Sequence, residues 1–208
     1  MVIDKKGLLL VVSGPSGAGK GTICKVLMDR NKDLKLSVSA TTRQPRNGEV
    51  EGENYYFLTH DKFNDMISKS EFLEYAKTYS NFYGTPKGPV MESLENGQDV
   101  VLEIEMQGAR QVKQIYPEAI LVFVLPPTLN ELQCRLSSRG TETKEQMQER
   151  LSCAYEEIKQ IKDYNYFIFN ETNQEVEAAI EIENIISAEK NKSARYEEEI
   201  IRKFKEEL

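Results

Sequence analysis

The sequence contains no tryptophan and a single histidine, His60, among its 208 residues. One imidazole has no second histidine to share a metal with, which argues against a zinc centre and gives a Ser-His-Asp triad little to build on. His60 reads as a surface or helix-start residue. Cysteine is scarce as well: Cys24, Cys134 and Cys153 are odd in number, lack C-x-x-C spacing and fall in predicted helices. They read as reduced structural thiols, and no disulfide framework is expected. Long hydrophobic runs are missing. The run Leu8 to Val12, and even the longer Ala119 to Leu125, is far short of the ~20 residues a membrane helix requires, and Lys5-Lys6 before Leu8 is too little for a signal peptide. A cytoplasmic location is expected, with no membrane partner. Nor is there an excess of positive charge, since 27 basic residues face 34 acidic ones for a formal charge of −7. A broad nucleic-acid surface is therefore not expected, and any anionic ligand must be small and held by a local basic cluster.

What is present is a recurring alternation. Short apolar runs rich in β-branched residues occur at Leu8 to Ser13, Leu36 to Ala40, Val100 to Ile104, Ile120 to Leu125 and Tyr166 to Phe169. Helical patterns fit between and after them, at Lys20 to Asn31, Asp61 to Lys69, Pro89 to Glu95, Gly108 to Ile115, Leu129 to Ser138, Lys144 to Ile161 and Glu175 to Glu189. Strands apolar on both faces, alternating with helices, predict an α/β fold with a parallel sheet covered on both sides. Capping boxes at Thr128-x-x-Glu131 and Thr143-x-x-Gln146 mark two helix starts. Two stretches interrupt the alternation: residues 41–96, with many tyrosines and turn residues, and residues 139–164, which follow an Arg-Gly break. Insertions of this kind in a small α/β domain are where substrates are gripped. In the tail, residues 189–208, Tyr196, Ile200, Phe204 and Leu208 recur every four positions and predict a thin apolar helix stripe. That stripe suits a helix lying on its own domain or a subunit contact, so the chain is expected to be a monomer or a homo-oligomer.

The most specific signal is Gly14-Pro15-Ser16-Gly17-Ala18-Gly19-Lys20-Gly21-Thr22, directly after a strand and directly before a helix. This is the G-x-x-x-x-G-K core of a phosphate-binding loop in its proper setting. Inward-pointing backbone N–H groups and the helix dipole receive phosphate oxygens, and Lys20 reaches the terminal phosphates. The residue after the lysine, where Ser or Thr often ligates Mg²⁺, is here Gly21, so direct ligation falls at most to Thr22. On the strand Asp99 to Ile104, Glu103 and then Glu105 are spaced by two. They are expected to share one environment at the carboxyl edge of the sheet, beside the metal and second substrate.

Further motifs follow in order: Ser37-Val38-Ser39-Ala40-Thr41-Thr42-Arg43-x-Pro45-Arg46-x-Gly48-Glu49, Gly52-x-x-Tyr55-x-Phe57, Glu71-Phe72-Leu73-Glu74, Tyr83-Gly84-Thr85, Leu102-Glu103-Ile104-x-x-Gln107-Gly108 and Arg139-Gly140-Thr141-Glu142. Together they resemble the guanylate kinases over about residues 7–188. The resemblance implies a phosphate-loop core over about 7–40, 97–138 and 165–188, a GMP-binding insertion over about 41–96 and a mobile lid over about 139–164. It also implies phosphoryl transfer from ATP to GMP with Mg²⁺ on the triphosphate. Glu74 is implied as the guanine-reading carboxylate, assisted by Glu105 where the family usually carries Asp, with Ser39 and Thr85 at the guanine edge. Arg43, Arg46, Tyr55 and Tyr83 are implied as the clamp on the acceptor phosphate, and Arg135, Arg139 and Arg150 as cations closing over the triphosphate. Asn170 matches a position near the adenine. The chemistry agrees, because a carboxylate accepts from guanine N1–H and the exocyclic amine and repels adenine, while arginine forks bind phosphate bidentately. Two other readings stay open on the residues: a non-catalytic module that binds phosphorylated protein segments, and a phosphate-loop kinase for another nucleoside monophosphate.

Overall fold

The computed structural model describes residues 6–137 and 143–208. β1 (Leu9–Ser13), every residue of which is buried, runs into the glycine loop and then α1 (Lys20–Arg30). β2 (Lys35–Leu36) follows, the chain then leaves the core through β3 (Ala40–Thr41), β4 (Tyr56–Phe57), α2 (His60–Ser68), β5 (Phe72–Thr78) and β6 (Asn81–Pro86), and α3 (Lys87–Glu95) packs back onto the core sheet. It returns with β7 (Val100–Glu103), α4 (Met106–Ile115), β8 (Ile120–Leu125), α5 (Leu129–Ser137) and α6 (Lys144–Ile158), and ends with β9 (Tyr166–Phe169), α7 (Glu175–Lys190) and α8 (Glu197–Glu206).

The core sheet is five-stranded, ordered β2-β7-β1-β8-β9, and parallel throughout. This is the predicted α/β architecture. One face packs Leu8, Leu10 and Val12 against Ile23, Leu27, Ala179 and Ile182 of α1 and α7; the other packs Leu9 and Val11 against Leu94, Ala109 and Val112 of α3 and α4. Alternate residues of one strand thus feed two cores, as burial on both faces requires.

The predicted strand Leu36 to Ala40 is two strands in different sheets. Ser37 N–H still bonds to Val101 on β7, but Ser39 C=O already accepts from Tyr56 N–H of β4. The chain changes partners within three residues, and β3 joins a second, four-stranded sheet ordered β4-β3-β6-β5. The sequence reading placed helices and turns in residues 41–96 and missed this sheet.

α3 and α4 each start two residues before the expected position, and the predicted helix to Ile161 ends at Ile158 and continues as a 3₁₀ turn over Lys159–Asp163. The Thr143 capping box is complete. That at Thr128 is half formed: Thr128 Oγ1 accepts from Glu131 N–H, but the Glu131 carboxylate turns to Arg135 and Thr172. Cys24 is buried as expected, whereas Cys134 and Cys153 are exposed, correcting the structural reading of those two; all three are free. Of the tail stripe only Tyr196 is buried, while Phe204 and Leu208 are exposed.

Candidate active site

The loop between β1 and α1 lies at the carboxyl edge of the sheet, beside the end of the adjacent strand β7, where ligands of open α/β sheets bind. Gly19 has φ 90°, and a Cβ there would collide with Asn170 Nδ2. Only glycine allows the loop to close onto its support. Asn170, buried after β9, donates from Nδ2 to Ala18 C=O at 2.8 Å, and Arg135 donates to Asn170 C=O at 2.8 Å and to Ala18 C=O at 3.4 Å. Asn170 Oδ1 is buried with no hydrogen-bond partner among the described residues. Arg150, on α6, donates to Ser16 Oγ at 3.0 Å, so α6 touches the loop. Arg139 lies outside the described residues.

Lys20 Nζ donates to Gly14 C=O at 2.6 Å and to Pro15 C=O at 3.2 Å. Its ammonium is thus held by loop carbonyls at the mouth of the loop. Burial pushes its pKa down, opposed by the carboxylates of Glu103, Glu105 and Glu157. Gly21 is a matter of room: a Cβ there would lie 3.2 Å from Glu103 Oε1, so its glycine lets the Glu103 carboxylate stand against the loop. Thr22 is exposed beside it. A cavity of about 490 Å³ gathers Lys20, Glu103, Glu105, Arg135 and Glu157 around this loop.

A second cavity, of about 270 Å³, is lined by Ser39, Tyr55, Glu74, Tyr83, Glu103 and Glu105 among others. Glu103 and Glu105 line both cavities, and the two therefore adjoin across the end of β7. Glu74 is buried, and its Oε1 accepts from Thr85 Oγ1 at 2.7 Å. Burial raises its pKa, Glu105 adds to the rise, and the Thr85 hydrogen bonds oppose it. Of the residues expected at the acceptor, Ser39, Tyr55, Glu74, Tyr83 and Glu105 line this one space, and Thr85 is hydrogen-bonded to Glu74.

Arg43 and Arg46 stand further out. Arg43 lies 5.4 Å from the Tyr55 ring centre, and Tyr55 meets Tyr83 edge to face at 6.2 Å. The Arg43 fork is paired bidentately with Glu49, at 3.0 and 2.8 Å, which holds the Glu49 carboxyl below its ordinary value. Arg46 donates its backbone N–H to the same carboxylate at 2.7 Å, while its side chain is solvent-exposed.

Sequence reasoning gave no role to Glu49, Glu157 or Gly108. Glu157 had a legible signal, since it is seven residues after Arg150 and so on the same face of α6. Gly108 had none: a Cβ there would lie 2.7 Å from Glu74 Oε2, a contact between distant elements. Among the described residues no group of three or more His, Cys, Asp or Glu is disposed to hold a metal ion.

The comparisons with known proteins agree with this arrangement. The sequence model of the family described as guanylate kinase matches residues 6–189. The guanylate kinase of Clostridioides difficile (strain 630) is 66% identical over 204 residues, covering 98% of this chain and 98% of that protein. That of Caldanaerobacter subterraneus subsp. tengcongensis is 54% identical over 91% of each. The crystal structure of guanylate kinase from Anaplasma phagocytophilum superimposes with a TM-score of 0.72 at 32% identity, covering 93% of this chain and 91% of that one. With a phosphate loop, an adjoining cavity around a buried carboxylate and a family match along nearly its whole length, the chain belongs to the guanylate kinase family.

Proposed function

We propose that this protein transfers the γ-phosphoryl group of ATP to GMP, giving ADP and GDP, in the cytoplasm. The observation that carries this reading is the adjoining pair of cavities, one at the phosphate loop and one around Glu74, which share Glu103 and Glu105. Such a pair suits a donor and an acceptor nucleotide whose phosphates meet over the end of β7.

In the donor half, residues Gly14, Pro15, Ser16, Gly17, Ala18, Gly19, Lys20, Gly21 and Thr22 cradle the triphosphate. Lys20 exchanges two carbonyl partners for phosphate oxygens. Arg135, Arg139 and Arg150 neutralise charge on the transferring group; removal of such an arginine typically costs roughly 10³-fold in rate. The Asn170 amide supports the loop and keeps one buried acceptor for the adenine side of the donor. The hard oxygen donors near the loop, Glu103 and Thr22, fit Mg²⁺ carried chiefly by phosphate and water. When bound, that ion supplies charge neutralisation at the phosphates.

In the acceptor half, Glu74 accepts from guanine N1–H and the amine with Glu105 assisting, and Ser39 and Thr85 contribute hydroxyls. Arg43, Arg46, Tyr55 and Tyr83 hold the phosphate, with Arg43 releasing or sharing its bonds to Glu49. The acceptor is already anionic, so little base chemistry is needed; positioning and exclusion of water do the work.

The reading is tested by ADP formation from ATP and Mg²⁺ with GMP, AMP, CMP and UMP in turn. Turnover with GMP, lost in Lys20→Ala, is expected. No turnover with any acceptor would favour a phosphopeptide-binding module, and preference for another monophosphate would reassign the acceptor.

A further inference from the structure

Three consecutive residues of β5 grip the core by three different means. Leu73 is the extra residue at the register shift between Phe72 and Glu74. A bulge re-aims side chains, and this one sends Leu73, wholly buried, into the core cluster of Leu9, Val11, Leu102 and Val112. Glu74 lies against Gly108 of α4, where no Cβ stands in its way. Tyr75 faces Gly84 across the β5–β6 ladder. On its other side, its N–H donates to Gln111 Oε1 at 3.1 Å and its C=O accepts from Gln111 Nε2 at 3.0 Å.

β5 is an edge strand, and an edge leaves backbone groups unpaired. A primary amide offers a donor and an acceptor side by side, as a peptide group does. Gln111 therefore completes Tyr75 as a neighbouring strand would, from a helix that belongs to the core. The helix that carries Gln111 near its middle also carries Glu105, at its N-cap. The two carboxylates expected to read guanine are thus tied together through α4 rather than through the second sheet.

We propose that Gln111 is a positioning residue for guanine selection: its side-chain amide pins β5 to α4 and so sets the Glu74 carboxylate at a fixed distance from Glu105. The inference rests on the acceptor reading above. The guanine end of the acceptor site then stays with the core, and the phosphate end around Arg43 and Tyr55 moves about that pin.

Gln111→Leu and Gln111→Met remove both hydrogen bonds at a half-buried position, which leaves folding intact. Rates with GMP and with IMP, which lacks the exocyclic amine, measure how well Glu74 is placed; amide exchange at Tyr75 measures the pin itself. The variants should exchange the Tyr75 N–H faster and lose about tenfold of the GMP-over-IMP ratio in kcat/KM, with the KM for ATP unchanged. A ratio within about twofold of wild type, unaltered Tyr75 exchange, or a parallel fall for both acceptors with a raised ATP KM would each overturn the proposal. Wild-type protein that does not turn over GMP at all would refute the kinase reading instead, and this inference with it.

Discussion

Glu74 is 7% exposed, and burial lifts its carboxyl above the ordinary 4.5 of a glutamate while Thr85 draws it back. Guanine reading needs the ionised form, so the KM for GMP should rise as pH falls through this raised value, before ordinary carboxylates titrate. Glu74→Gln should lose about 10²-fold or more in kcat/KM for GMP and should abolish that acid limb, while the KM for ATP holds. The same substitution has the opposite effect on folding. A carboxyl whose folded pKa is raised contributes stability below its unfolded value and loses it as pH rises through the folded one. Ligand-free Glu74→Gln should therefore melt above wild type at neutral pH, with the gap closing as the pH approaches 4.5. A variant that melts lower throughout would mean that the buried charge is compensated. Cys24 shows the same physics without a function: burial and the neighbouring Glu103 push its thiol up to about 12, leaving it unreactive. Site residues of this kind were legible one by one where a motif carried them. Glu49 stood in a quoted motif, yet its pairing with Arg43 depends on a turn that brings residues six apart face to face.

At the scale of elements, α6 carries Arg150 and Glu157 toward the phosphate loop and starts at a complete capping box. Thr143→Ala should cost about 1 kcal/mol in helix stability. The expected signature is faster amide exchange in the first turn of α6 together with a higher KM for ATP and an unchanged KM for GMP; equal changes in both constants would argue against a donor-side role. The Thr143 and Gln146 pair was readable because both halves of the box lie within one turn. The Thr128 box was readable only in part, since Glu131 found better partners in Arg135 and Thr172. Long buried strands such as β1 and β8 announce themselves by composition. The two-residue strands β2 and β3 do not, because their assignment depends on which distant backbone they meet. β5 and β6 were hidden for a related reason: polar and turn-forming residues line the cavity between the second sheet and the core, which blurs the alternation a strand otherwise shows.

For the whole molecule, the acidic total conceals a division of labour. The basic groups expected to hold phosphate come from three separate segments, Lys20 and Arg135 from the core, Arg43 and Arg46 from the second sheet's loop, and Arg150 from α6. Binding both nucleotides should draw these segments together, so the radius of gyration in solution scattering should fall when GMP and a non-hydrolysable ATP analogue are added together, and fall less with either alone. Superimposable scattering with and without ligands would mean that the site is fully formed beforehand. The parallel core and the phosphate loop were legible from sequence because strand burial and loop chemistry are local in the chain. How the 41–96 segment joins the core was not, because the joint is made by contacts such as Leu73 with Val112 and Tyr75 with Gln111. That joint bears on how such enzymes can be altered. Residues 41–96 look like a cassette, bounded by one exit from the core sheet and one return to it, but their edge strand is rooted in the core. An exchange of that segment alone between relatives would bring a guanine reader without the helix that seats it; a graft meant to change acceptor choice has to carry α4 along.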